Sequence, residues 1–202
     1  MTNSVAPAFL LLPLMLFAIV TSITPGPNNI LLTASGANFG FRRTIPHMLG
    51  IGAGFLSLIF ATGLGLGAVV LASPLLHQAL KLVGAAYLVW LAWQLARAGA
   101  VESTTRIRPM RFHEAALFQY VNPKAWMMAV GAIAAFTTPG GDYALELTLI
   151  ALIFAIINLP CVSLWALFGV AIGKYLSNDA ARRVFNFAMA GLTVASAALL
   201  FV

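Results

Sequence analysis

Charge is what this sequence has least of. Only 8% of its residues are Asp, Glu, Lys or Arg, against about a quarter in an ordinary water-soluble domain. A chain that is 61% hydrophobic and so poor in charge cannot cover a water-facing globule, and a soluble fold is excluded on that ground. Acids are scarcer still, five against eleven Lys and Arg. The resulting net charge of +6 does not indicate nucleic acid, because the cations fall in short clusters between apolar runs, with no basic face and no interleaved aromatic platform. The single cysteine, Cys161, excludes an intramolecular disulfide and a multi-sulfur metal site; inside an apolar run it reads as a buried, inert thiol. No Lys or Arg precedes the first apolar run, which outlasts the roughly 7 to 15 residues of a signal-peptide core, so it is expected to be a retained helix. Polar stretches are too short for a separate globular domain, and residues 1–202 read as one transmembrane domain.

Apolar runs are plentiful. A span needs about 20 apolar residues, and the chain offers six: Ala8 to Asn38, Ile45 to Leu71, Leu76 to Ala96, Ala115 to Phe136, Leu145 to Ile172 and Val184 to Val202. The expected fold is therefore an all-α integral membrane protein. Loops one, three and five hold nine cations (Arg42, Arg43; Arg97, Arg106, Arg108, Arg111; Lys174, Arg182, Arg183), and Lys81 is assigned to loop two. Positive charge is retained on the cytoplasmic side, so both termini are expected outside.

Two spans are interrupted. The first is broken at Thr24-Pro25-Gly26-Pro27-Asn28-Asn29 and the fourth at Asn122-Pro123-Lys124, with Pro25 and Pro123 98 positions apart in 202 residues. Three spans per half is an odd number, so homologous halves, roughly 1–100 and 101–202, would enter the membrane from opposite sides as a 3+3 inverted repeat. The alternative is two unrelated proline kinks.

At the first break two prolines lack N–H donors, so a new helix should begin near Asn28 with free amides and a partial positive charge suited to a carboxylate. Asn28 and Asn29 add donors and acceptors, unless they merely cap the half-helix. Lys124 adds a full charge inside an apolar span, where an unpaired lysine facing lipid is costly; it should face a polar cavity, or else snorkel to the interface. Pro25, Gly26, Pro27, Asn28, Asn29, Asn122, Pro123 and Lys124 therefore form the expected substrate-binding set. Gly50/Gly54 and Gly63/Gly67 match no nucleotide loop and read as helix-packing positions in the second span.

Catalytic chemistry finds little footing. Glu102, Glu114, Asp142, Glu146 and Asp179 all fall in loops or at helix ends, as do His47, His77 and His113. No paired carboxylates, hydrolytic set or metal cluster results, so neither an enzyme nor a cofactor is expected. His47 and Glu114 could relay protons on the cytoplasmic side, although each alone reads more simply as a solvated helix-end residue. Trp90, Trp93 and Trp126 read as packing residues or cavity walls.

Ile23 to Leu31, followed by Gly40-Phe41-Arg42-Arg43, resembles the amino-terminal signature of the LysE/RhtB translocator family of amino-acid exporters. Gly84-Ala85-Ala86-Tyr87-Leu88-Val89-Trp90-Leu91-Ala92-Trp93 is similar to that family's third-helix motif and Asn122-Pro123-Lys124-Ala125 to its fourth-helix motif. Within the family the chain looks closest to the branch exporting cysteine and O-acetylserine. The resemblance implies a bacterial inner-membrane secondary transporter, driven by the proton-motive force, whose partners are a small amino acid and the lipid bilayer. It leaves homo-oligomerisation open. A channel and a non-transporting accessory subunit are the competing expectations.

Overall fold

A computed structural model describes residues 6–97, 108–176 and 178–201, and these are helical with no strand among them. The helices are α1 (Ala6–Ile23), α2 (Pro27–Phe39), α3 (Phe41–Ala61), α4 (Gly67–Ala72), α5 (Pro74–Arg97), α6 (Phe112–Phe118), α7 (Pro123–Phe136), α8 (Tyr143–Gly173) and α9 (Asp179–Ala198). A π-helical turn, Thr62–Leu66, joins α3 to α4, and 3-10 turns cover Gln119–Val121 and Leu199–Phe201. Three stretches are long and apolar enough to cross a bilayer: Phe41–Ala72, Pro74–Arg97 and Tyr143–Gly173. The α1–α2 pair, bent by 56°, is a fourth if read as one broken span. α7 has 14 residues, about 21 Å at 1.5 Å per residue, and needs α6 and its 3-10 turn to approach bilayer thickness. Large apolar side chains such as Leu12, Leu71, Leu75, Met127, Ile156 and Phe187 face outward, as a lipid-facing surface requires.

The helix breaks fall at a Gly-Pro and an Asn-Pro step. A residue before proline is pushed out of the α region, and Gly26 (φ 178°, ψ 177°) and Asn122 (φ −92°, ψ 107°) are both extended. Pro27 and Pro123 then occupy the first turns of α2 and α7, where a missing N–H costs nothing. Pro13, Pro46 and Pro160 lie inside continuous helices. Proline alone does not break a helix here.

Several sequence expectations shift. Lys81 does not lie in a loop but in the second turn of α5, because Ser73 is the whole connection to α4 and its Oγ accepts from Leu76 N. The sixth helix starts at Asp179 rather than Val184, since Asn178 caps it by accepting from Ala181 N at 2.8 Å. The fourth starts at Phe112, where Glu114 reaches back to the Arg111 N–H. Arg106 and Glu102 lie outside the described residues.

Glycines set the spacing of the helices. A methyl at Gly36 of α2 would stand 2.1 Å from the Ala166 carbonyl oxygen of α8, and one at Gly169 of α8 would stand 2.1 Å from the Thr33 carbonyl oxygen of α2, so the two backbones touch. Gly50 and Gly54 admit α6 against α3 in the same way, as expected of them. Gly63 instead faces Leu147 and Tyr143 side chains, and Gly67 faces Thr62 of its own segment. Between them Gly65 adopts φ +115°, a conformation open to glycine, and kinks the span.

One end of the bundle collects the cations. Gly173 abuts Ala37, Asn38 Nδ2 donates to Asn186 Oδ1 at 2.8 Å, and Phe39, Gln94, Leu95 and Arg108 line one cavity. The ends of α2, α5 and α8 and the starts of α3, α6 and α9 therefore lie together. Arg42, Arg43, Arg97, Arg108, Arg111, Lys174, Arg182 and Arg183 are on these segments.

Candidate functional site

The two breaks meet in the middle of the bundle. Lys124 Nζ, at the start of α7, donates to Thr24 O at 2.6 Å, Thr24 Oγ1 at 2.9 Å and Pro25 O at 3.2 Å. The ammonium thus sits on the carbonyl end of α1. That end carries about half a negative charge, and the lysine's three donors each find an oxygen. Its stem lies so close to Gly26 that a methyl there would stand 2.7 Å from Lys124 Cδ. In this structure Lys124 turns inward to the other break.

Asn28 and Asn29 do not cap α2, whose first turn has no side-chain cap. Asn28 pairs with Gln119 through two hydrogen bonds, Nδ2 to Oε1 at 2.8 Å and Gln119 Nε2 to Oδ1 at 3.2 Å. Asn29 Nδ2 reaches back across the break to Ser22 O at 2.9 Å and Thr24 O at 2.8 Å. With Ile30 N bonded to Gly26 O, the amides of Asn28 and Asn29 lie ahead of the first bond of α2. α7 differs. Asn122 Oδ1 accepts from Lys124 N at 3.2 Å, and the Asn122 carbonyl accepts from Ala125 N, so this half-helix is capped by its own asparagine.

Ser22, Gln119, Asn158 and Trp165 belong to the same layer and were not singled out in the sequence. Asn158 Nδ2 donates to Ser22 Oγ at 3.3 Å, and its Oδ1 is buried without a partner among the described residues. Trp165 Nε1 donates to Ile23 O at 2.9 Å, serving another carbonyl at the end of α1. A polar residue inside the 31-residue apolar helix α8 was the available signal for Asn158. Gln119 falls three positions before an already suspected break.

Ser22, Asn28, Asn29, Gln119, Asn122, Lys124 and Asn158 border a cavity of about 30 Å³, room for one or two waters. Apolar clusters flank it, one around Phe55, Ala129 and Phe154 and one around Leu32, Ile51 and Val162. No carboxylate among the described residues lines it.

His47 and Glu114 border a different cavity of about 240 Å³ at the basic end, together with Arg108. His47 is not solvated, as expected of a helix-end residue, but buried within α3; neither ring nitrogen has a partner among the described residues. Glu114, ahead of the apolar run of its span, accepts a forked pair of hydrogen bonds from Arg108 and one from Arg111 N at 2.8 Å. The Arg108 bond, with help from the Arg111 amide, holds its carboxyl down to about 2. Of the tryptophans, Trp90 lines this cavity, Trp93 carries Arg97 at 4.6 Å over its ring, and Trp126 Nε1 donates to Tyr120 O. Among the described residues no group of three His, Cys, Asp or Glu is placed to hold a metal ion.

The model of the LysE type translocator family matches residues 19–202. The chain is 31% identical over 154 residues to proteins named cysteine/O-acetylserine efflux protein in Salmonella typhimurium (strain LT2) and Escherichia coli (strain K12), covering 76% of this chain and 78% of each relative. No solved structure matches. A family model spanning nearly the whole chain, on a helical bundle whose family motifs at Pro25 and Lys124 meet in space, establishes that this protein belongs to the LysE type translocators.

Proposed function

We propose that this protein is a secondary transporter that exports small neutral amino acids or their derivatives, of the cysteine, O-acetylserine and threonine or homoserine kind, across the bacterial inner membrane. The supporting observation is the joined pair of breaks: an ammonium, two asparagines, a glutamine and a helix amino terminus brought together, with no acid beside them among the described residues. Lys124 and the α2 amides attract a carboxylate. The Thr24 and Pro25 carbonyls, which accept from Lys124, can take the cargo's ammonium once the lysine moves to the carboxylate. A second cation on the cargo has no counter-charge there, and an unpaired buried charge is strongly penalised. The efflux proteins named above are consistent with this cargo.

The cavity of about 30 Å³ is too small for an amino acid, so transport requires the breaks to part. In this reading two broken helices exchange access to one site, six spans place the basic end in the cytoplasm, and both termini lie outside. α1 packs on α8 and α6 packs on α3, the matched pairing that a 3+3 inverted repeat would give. Coupling to the proton-motive force is part of the proposal, with buried His47 the titratable group beside the path.

Efflux from preloaded proteoliposomes tests it. Cysteine, O-acetylserine and threonine should leave faster than lysine, and an imposed pH gradient should accelerate them. Equal or faster lysine efflux would overturn the cargo reading, indifference to the gradient would overturn the coupling, and no efflux of any of the four would favour an accessory role.

A further inference from the structure

The basic-end cavity shares no lining residue with the central one, yet the two lie one helical turn apart on two helices. His47 borders the first and Ile51 the second on α3; Leu31 and Asn28 do so on α2. Positions three or four apart share a helix face, so the cavities are stacked along one path.

The outer cavity has the contents of an amino-acid site. Its mouth carries both charges of a zwitterion's complement, the Arg108 guanidinium and the Glu114 carboxylate, held together in a pair whose side chains are 45% and 28% exposed. The pair is partly exposed, so an incoming ligand can reach both groups and offer each a charge opposite to its own. One wall is formed by the Tyr87 and Trp90 rings, stacked with centroids 5.4 Å apart. Ser35, Asn38 and Gln94 supply further polar groups, and His47 borders the cavity with two ring nitrogens lacking a partner among the described residues. Buried polar atoms are nearly always satisfied, so an unpaired imidazole facing a cavity points to a guest.

We propose that this cavity is a second amino-acid site, a staging site at the basic end, in which Arg108 takes the cargo's carboxylate and Glu114 its ammonium before the cargo moves one turn deeper. This rests on the neutral amino-acid cargo proposed above. A zwitterion replaces each partner of the divided pair by its own charge of the same sign, so no net charge is added to the cavity. A cargo lacking either charge leaves Arg108 or Glu114 unmatched and binds worse. The cargo side chain points inward to His47, where a hydroxyl, thiol or ester can meet a ring nitrogen.

Equilibrium binding of radiolabelled O-acetyl-L-serine to the full-length protein in lipid nanodiscs tests the site apart from transport. Two molecules per chain are expected, falling to one in Lys124→Met and to one in the double variant Arg108→Gln/Glu114→Gln. N-acetylserine, which lacks the ammonium, should not compete in Lys124→Met. One molecule per chain, lost in Lys124→Met and untouched by the double variant, overturns the staging site and leaves the central site standing. One molecule lost only in the double variant supports the staging site and removes the central one. No binding to the wild type overturns both. A second measurement keeps Arg108 and Glu114 native: in a Gln94→Cys, Cys161→Ser, Lys124→Met protein, O-acetyl-L-serine should slow maleimide labelling of the new cysteine several-fold. An unchanged labelling rate overturns the proposal.

Discussion

The Lys124 ammonium donates a 2.6 Å hydrogen bond to the Thr24 carbonyl across one hundred positions of sequence. With Thr24 Oγ1 and Pro25 O as its other acceptors, the lysine satisfies all three donors on the carbonyl end of the opposite broken helix. A half-buried charge is thereby accommodated without a carboxylate among the described residues. Under the proposed function, a cargo carboxylate competes with these oxygens, so cargo binding and release of the α1 end become one event.

Lys124→Met should therefore lower efflux about tenfold or more while insertion and yield stay near normal, because a charge-assisted bond contributes about 1.5 to 3 kcal/mol and its removal also unburies a charge. Gly26→Ala should act through the same lysine, since its methyl occupies the space of Lys124 Cδ. Efflux assays on both single variants and the double variant check this. The glycine change should add little once Lys124 is methionine, and full additivity would separate the two residues.

Asn28 and Gln119 form a mutually satisfied amide pair between α2 and the end of α6. Replacing Asn28 by leucine strands the fully buried Gln119 amide and replacing Gln119 strands the half-buried Asn28, and each should cost about 1 to 3 kcal/mol. Replacing both should cost less than the sum of the two single changes. Thermal unfolding of the purified variants measures the difference. A double variant as unstable as the sum would show that the amides act independently.

The clustering of cations at one end, proposed to be cytoplasmic, sets the topology. Reporters fused after Val202 and in the loop around Gly141 should report the outside, and one near Arg106 the inside. The opposite pattern would refute the orientation by loop charge.

Glu114 provides a pH test. Its carboxyl is held at about 2, below the ordinary 4.5, chiefly by the Arg108 bond. A depressed acid contributes stability that is fully present above its unfolded value and lost as pH falls through the folded one. The stability difference between wild type and Glu114→Gln should be constant from neutral pH to about 4.5 and close as pH approaches 2. Unfolding midpoints across that range decide it, and a difference that closes near neutrality would show that Arg108 does not hold the carboxylate.

The sequence by itself determined that the chain is an all-α membrane protein and where its two helices break. Both are local properties: apolar length follows from composition, and Pro27 and Pro123 follow the weak helix formers Gly26 and Asn122, whereas Pro13, Pro46 and Pro160 follow Leu12, Ile45 and Leu159 and stay inside helices. Family membership was legible for the same reason, in contiguous motifs around Pro25 and Lys124. Only the tertiary structure decided what the broken ends touch. Asn122 became a cap while Asn28 and Asn29 became bridges, because the Asn122 side chain meets an amide of its own half-helix whereas Asn28 meets Gln119 and Asn29 meets the Ser22 and Thr24 carbonyls. The polarity of Gln119, Asn158 and Trp165 was visible in the chain, but a hydrogen bond needs a partner within about 3 Å. That partner is supplied by helices packed from distant sequence, with the α2–α8 approach set by the bare backbones at Gly36 and Gly169.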